Sequence, residues 1–302
     1  MKKLFIYVLF IIMPCIQIYG QSFSRLNNYW DNTYSINPAS INDEYLGTVS
    51  MATRKQWVNF PGSPTTLYAM GTIYFEDYYT QIGLKVLAEK KGYTMNSEVD
   101  LSYTYVLLLD NDWSLNMALA TTFQNLSYDV SEITFPAAEK PAIYDRLLVN
   151  NNINATVGFE LNYFTYKIGF ASHNLVSLFD NKNDLHPNTN ILYAKYRQKN
   201  SDYINIGIGA SVFQYNNIIQ GEFLLNSYFK KTMSTEKLEL GAIYRTWREI
   251  GLIFAIDWGR FKMSYSCDYN LGQIYRHSFG SHELALTYHF NKPRKCINCG
   301  WY

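Results

Sequence analysis

Along residues 46–290 apolar side chains recur at every second position, and after residue 20 no apolar run is long enough to cross a bilayer as a helix. A spanning helix needs about 20 such residues. The longest runs here, such as Val106–Leu109 and Leu252–Ile256, fall far short. If the chain spans a membrane, it does so as a closed barrel, because only helices and closed barrels satisfy every backbone N–H and C=O in lipid.

The period is clearest near the end of the chain. In Ser281–Phe290, Leu284, Leu286, Tyr288 and Phe290 share one face, and Glu283, Ala285, Thr287 and His289 the other. Glu249–Trp258 sets Ile250, Leu252, Phe254, Ile256 and Trp258 against Gly251, Ala255 and Asp257. Arg260–Tyr269 and Asn152–Leu161 repeat the code, which is that of a transmembrane strand. Segments of this kind start near Leu46, Thr65, Thr80, Asn96, Trp113, Asn152, Phe164, Asn190, Tyr203, Ile218, Lys237, Glu249, Arg260 and Ser281. The expected fold is therefore all-β, a transmembrane antiparallel β-barrel of about 14 strands of the outer-membrane type.

Connection lengths agree. An even strand number returns both termini to one side, expected to be the periplasm. The long connections Arg54–Pro64, Ser127–Asn151, His173–Thr189 and Asn270–Gly280 then all face outward, while turns such as Asn162–Tyr163 face inward. Two outward connections, near Tyr215–Asn217 and Trp247–Arg248, are short and break the pattern. A secreted β-sandwich, the soluble alternative, also alternates, with a polar outer face and an apolar inner one; here Leu, Ile, Phe, Tyr and Trp dominate one face and the charges keep to the other, which favours the barrel and leaves the sandwich open.

Composition narrows the rest. Aromatics make up 17 % of 302 residues, with 27 Tyr and 18 Phe, too much apolar surface for a disordered chain. Lys plus Arg is 26 against 25 Asp plus Glu, a balance unlike the basic excess of nucleic-acid binders. Lys2 and Lys3 followed by apolar Leu4–Met13, with Gly20 before Gln21, read as a signal peptide over residues 1–20. The remainder divides into an N-terminal periplasmic or plug-like segment at 21–45, the barrel at 46–290 and a periplasmic tail at 291–302. Cys296 and Cys299, close together in that tail, read as a possible disulfide; a zinc site would need further Cys or His ligands.

Several local patterns resemble one family when taken in order. They are Asn37-Pro38-Ala39; Arg54-Lys55-Gln56-Trp57 with Pro61-Gly62-Ser63-Pro64; Gly169-Phe170-Ala171-Ser172-His173; Tyr265-Ser266-Cys267-Asp268-Tyr269; and Gly280-Ser281-His282-Glu283-Leu284. This set resembles the PorP/SprF family of type IX secretion and gliding-motility membrane proteins, from about Gln21 to Phe290. The resemblance implies an outer-membrane barrel whose partners are type IX secretion components and a secreted, adhesin-like surface protein, set in outer-membrane lipid, with no nucleic acid. Cys267 stands where the family commonly has Tyr.

The candidate residues carry structural readings beside the partner-binding one. Asn37 and Pro38 suit a turn ahead of the first strand. Pro61, Gly62 and Pro64 would stiffen the first outer loop. Arg54 and Trp57, beside Gln56, are expected either at the membrane interface or on a protein-binding ledge. Asp268 and Glu283 are expected to face the lumen near Lys262 or Arg260, in an inward charge ladder. His173 closes one motif. His282 and Glu283 are adjacent on a strand and so point to opposite faces, which opposes a His–carboxylate pair. With no Gly-x-Ser-x-Gly elbow and no His-Glu-x-x-His helix, no catalytic, metal or cofactor site is expected. The functional alternative is an outer-membrane channel for small hydrophobic solutes, like the fatty-acid transporters, with Gln21–Asn42 folded in as a plug. A third reading is a purely structural barrel.

Overall fold

The computed structural model describes residues 24–42, 44–109, 112–128, 149–179, 186–199, 201–215, 218–232, 235–246, 249–272 and 278–290. Fourteen strands close into one antiparallel barrel in which each strand pairs with its neighbours in sequence. They are β1 (Gly47–Lys55), β2 (Thr65–Phe75), β3 (Thr80–Lys91), β4 (Thr94–Leu108) and β5 (Trp113–Tyr128). Then follow β6 (Val149–Tyr163), β7 (Tyr166–His173), β8 (Thr189–Arg197), β9 (Ile204–Tyr215) and β10 (Ile218–Thr232). The last are β11 (Thr235–Arg245), β12 (Glu249–Trp258), β13 (Phe261–Asn270) and β14 (Ser281–Phe290). β1 pairs with β14, from Gly47 opposite Phe290 to Lys55 opposite His282, and so leaves no edge.

The outer face is a band of exposed Leu67, Leu84, Leu101, Leu119, Ile153, Phe223 and Leu286. Aromatic pairs gather where β1 begins and β14 ends, here termed the near mouth: Trp113 stacks on Tyr163 and Phe261 lies against Tyr288. Residues 56–64, 174–179, 186–188, 271–272 and 278–280 lie at the opposite, far mouth, whereas Phe164–Thr165 and Gly259–Arg260 turn tightly at the near one. Strands β4, β5 and β6 have 15, 16 and 15 residues. That exceeds the roughly 10 that cross a bilayer, so these strands project beyond it, as the 15-residue β10 does.

Residues 24–42 run inside the barrel. From Leu26 to Ser40 this segment is buried except at Asp31 and Asn32, and two 3-10 turns, Asn27–Trp30 and Thr33–Ser35, give it its form. It builds the luminal core with residues that point inward from the strands. Tyr29, Trp30 and Ile36 pack with Ile191, Tyr193, Phe213, Leu224, Ile243 and Ile253. Leu26 and Tyr34 pack with Tyr68, Met70 and Leu87. Ile41 meets Tyr74 and Val106. The inner face is therefore not uniformly polar: strands are apolar on both faces where the segment's hydrophobic side chains touch them.

Candidate functional site

The segment is anchored through its backbone. Glu283 on β14 accepts hydrogen bonds from the N–H of Asn27 at 2.6 Å and of Asn28 at 3.0 Å. These are first-turn amides that a 3-10 turn leaves unpaired, and a carboxylate is favourable at that end. The Asn27 and Asn28 side-chain amides donate to Ser266 and Ser264 on β13, at 3.1 and 2.5 Å. Farther along, the His173 ring Nε2 lies 2.7 Å from the Ile36 carbonyl, Thr104 Oγ1 donates to Pro38 O at 2.8 Å, and Asn116 Nδ2 donates to Ala39 O at 3.1 Å. Asn37 makes an Asx turn, accepting from Ala39 N at 3.0 Å, while its amide reaches Tyr193 Oη and Phe159 O.

Inward-facing glycines make room for these groups. A Cβ at Gly158 would lie 2.3 Å from Asn37 Oδ1, and one at Gly209 would lie 2.5 Å from the Trp30 ring. Both are closer than real Cβ contacts allow, so the wall is fitted to the segment.

Buried charge sits beside this anchor. Arg54 on β1 bridges Asp268 at 2.5 Å and Glu283 at 3.4 Å. Arg245 on β11 reaches Glu222 at 2.5 Å and both Asp268 and Glu249 at 3.2 Å, and donates to Asn27 Oδ1 at 2.6 Å. Arg25 lies 3.5 Å from Glu222 and over the Phe213 ring, and Trp30 Nε1 donates to Glu222 at 2.7 Å. Charges this deep are tolerated because each has partners; removing one would leave another uncompensated. Nearer the near mouth, Lys262 bridges Asp31 of the segment and Glu239.

These positions correct two expectations. Arg54 is neither an interface anchor nor part of a surface ledge: it is 4 % exposed and faces the lumen. Asp268 and Glu283 do face the lumen, but Arg54 and Arg245 neutralise them, and Lys262 serves Asp31 and Glu239 instead. Among the candidates, Asn37, Pro38, Arg54, His173, Asp268 and Glu283 are thus gathered in the lumen. His282 points outward, its Nδ1 2.6 Å from the Tyr265 hydroxyl, away from Glu283. Arg245, Glu222 and Arg25 were not singled out in the sequence, although Glu222 and Arg245 occupy inward positions of alternating strands.

The remaining candidates form the rim of the far mouth. Gln56 N donates to Pro64 O at 2.9 Å and closes the loop that carries Pro61 and Gly62. That loop is tied to its neighbour, with Val58 N donating to Gly280 O and Phe279 N to Val58 O, and Trp57 N reaches Ser281 Oγ. Gly92 N donates to Gly62 O. Trp57 and Asn59 hold φ of +44° and +72°, a region bulky residues avoid. Cys296 and Cys299 lie outside the described residues, as does most of Ser127–Asn151.

The segment divides the lumen in two. A cavity of about 190 Å³ opens below it, lined by Asp31, Lys195, Arg197 and Lys262. One of about 250 Å³ lies above it, lined by Lys85, Glu89, Glu98, Asp100 and His186. At the lower cavity Arg197 and Lys199 hold the exposed carboxyl of Glu44 below its ordinary range.

Solved structures with this fold are membrane barrels. The toluene transporter TbuX of Ralstonia pickettii aligns with TM-score 0.50 at 9 % identity, over 85 % of this chain and 92 % of that one. A TodX deltaS2S3 mutant, a monoaromatic hydrocarbon channel, gives TM-score 0.50 at 6 % identity, over 85 % and 93 %. Outer membrane protein Omp33 of Acinetobacter baumannii gives TM-score 0.48 at 10 % identity, over 82 % and 99 %. Such identities speak to fold alone. No curated protein sequence matches the chain. The family described as type IX secretion system membrane protein PorP/SprF matches residues 18–288.

Proposed function

The chain belongs to the PorP/SprF family of type IX secretion system membrane proteins, and from that premise we propose that it is a docking barrel that helps export or surface-anchor a secreted, adhesin-like partner. The family implies an outer-membrane component of that system. In our reading residues 1–20 are a leader removed on export, both termini are periplasmic, and the far mouth faces outside. Its rim, with Gln56, Trp57, Pro61, Gly62 and Pro64, then offers the partner a stiff platform, while the near-mouth turns meet the secretion machinery.

The observation that carries this reading is the filled lumen. Glu283, Arg54 and Arg245 hold an internal segment with buried ion pairs and backbone hydrogen bonds. A barrel closed in this way is suited to present surfaces. The alternative, a channel for small hydrophobic solutes, finds fold-level company in TbuX and TodX. However, both cavities here set charged groups among their apolar lining, Asp31, Lys195 and Lys262 in one and Lys85, Glu89 and Asp100 in the other, where a pocket for such a solute carries few polar groups.

Affinity capture of the tagged protein from detergent-solubilised outer membrane tests the docking reading. Recovery of a large secreted protein together with secretion-system components is expected. Normal surface delivery of every type IX cargo in a strain lacking this gene would sink the idea. Recovery of the barrel alone with lipid in its lumen would favour the channel.

A further inference from the structure

Among the strand residues whose side chains are described, the outward face carries two lysines, Lys55 and Lys90, and no other Lys, Arg, Asp or Glu. The two stand together. Lys55 ends β1, Lys90 is next to last in β3, and both lie directly opposite Thr65, the first residue of β2. Lys55 Nζ leans across β2, donating to Thr65 Oγ1 at 2.8 Å and to Ser63 O at 3.2 Å. Both acceptors are neutral, and they take two of the three N–H groups of the ammonium. Because Thr65 Oγ1 accepts from Lys55, its own proton points elsewhere and can be donated. Opposite residues on paired strands have Cβ atoms about 4.5–5.5 Å apart, less than the four-carbon stem of a lysine spans. The Lys90 ammonium therefore reaches the same point above Thr65.

Charge on the lipid face is costly at the bilayer midplane and tolerated toward the headgroups, and the far-mouth strand ends are where headgroups lie. Two ammonium groups and a hydroxyl converging on one point form a donor set for an anion. Farther along β2, beyond Leu67, the outward residues become small. Ala69 stands between Met51 and Val86, and Gly71 between Val49 and Leu84, and in both cases the flanking pair is the more exposed. A shallow apolar trough thus descends from the lysines into the lipid belt, ending about 20 Å along the strand from Thr65. A lipid satisfies both features, whereas a free anion has no use for the trough. The headgroup charge follows from the two lysines: a phosphomonoester carries about −1.5 to −2 at neutral pH, and a phosphodiester only one charge. We propose that Lys55, Thr65 and Lys90 bind the phosphomonoester headgroup of a membrane lipid, with an acyl chain lying over Ala69 and Gly71.

Thr65 supplies geometry as well as a donor. Its hydroxyl fixes the Lys55 ammonium over β2, so that less side-chain freedom is lost when the headgroup arrives. The site stands on the outer face of the barrel and not on the docking reading, so its failure would leave that reading intact.

The test uses the full mature barrel in detergent, with folding checked by heat-dependent gel mobility. Phosphatidic acid, a phosphomonoester, and phosphatidylglycerol, a phosphodiester with the same acyl chains, are titrated separately, and bound lipid is counted by native mass spectrometry. Phosphatidic acid is expected to bind about tenfold more tightly than phosphatidylglycerol. Lys55→Gln should weaken it about tenfold, and Lys90→Gln should act in the same direction and serves if Lys55→Gln does not fold. Ala69→Leu fills the trough away from the charges and should weaken both lipids alike. Equal affinity for the two lipids overturns the proposal, as does binding that neither lysine variant changes. Binding that Ala69→Leu leaves unchanged overturns the acyl-chain placement.

Discussion

At the residue scale, Glu283 matters most. It caps the first turn of the luminal segment and neutralises Arg54, both at full burial. Glu283→Gln keeps the shape but removes the charge, leaving Arg54 with Asp268 alone. Losing one partner of a buried pair costs about 3–5 kcal/mol. Hydrogen exchange of residues 24–42 should rise accordingly while the strand amides stay protected; unchanged exchange in the segment would contradict the anchoring role. Gly158→Ala is the complementary change, adding a methyl where Asn37 Oδ1 sits 2.3 Å away. We expect it to destabilise the segment by about 1–3 kcal/mol, as overpacking does. Asn37→Ala should relieve part of that loss in the double mutant. Strict additivity of the two would mean that they do not touch.

At the scale of the strand, the outer face answers to lipid and the inner face to the segment. Leu119, exposed near the middle of β5, should tolerate Leu119→Ile in unfolding from lipid vesicles, whereas Leu119→Arg should lose about 2–4 kcal/mol. Equal tolerance of both would remove the lipid belt. The far-mouth loop makes a different prediction. Asn59 holds φ at +72° on an exposed turn, so Asn59→Gly is nearly neutral and Asn59→Val costs about 1–3 kcal/mol, read as a lowered Tm. Strand starts were legible because alternation is a local property: Thr65, Thr80, Trp113, Ile218, Glu249 and Ser281 begin strands as the period predicts. Phe164 does not. It takes φ of +48° in the tight turn after β6, and β7 starts at Tyr166, because the sequence marks polarity there and not backbone sign.

At the scale of the whole molecule, the filled lumen predicts electrical silence. In planar bilayers the intact protein should show little conductance, and deletion of residues 24–42 should open a pore, provided the empty barrel still folds by heat-dependent gel mobility. A conducting intact protein would speak for the channel reading.

The sequence by itself determined the barrel, its strand number and its lipid-facing side, because a period of two is written in each segment and the bilayer admits no other arrangement of such segments. It also carried an unread sign of the lumen's content. The apolar runs Val106–Leu109 and Leu252–Ile256 interrupt the alternation where Val106 meets Ile41 and where Ile253 packs in the cluster that holds Tyr29, Trp30 and Ile36. Only the tertiary structure decided which charges meet. Arg54 and Glu283 are 229 positions apart in the chain, and they become neighbours only because closure sets β1 against β14 in one register. Asp268 then lies one strand farther on, within reach of both Arg54 and Arg245. Parity along a strand is local and can be read from the chain; register between distant strands is fixed by closure, and the lumen's chemistry follows from register.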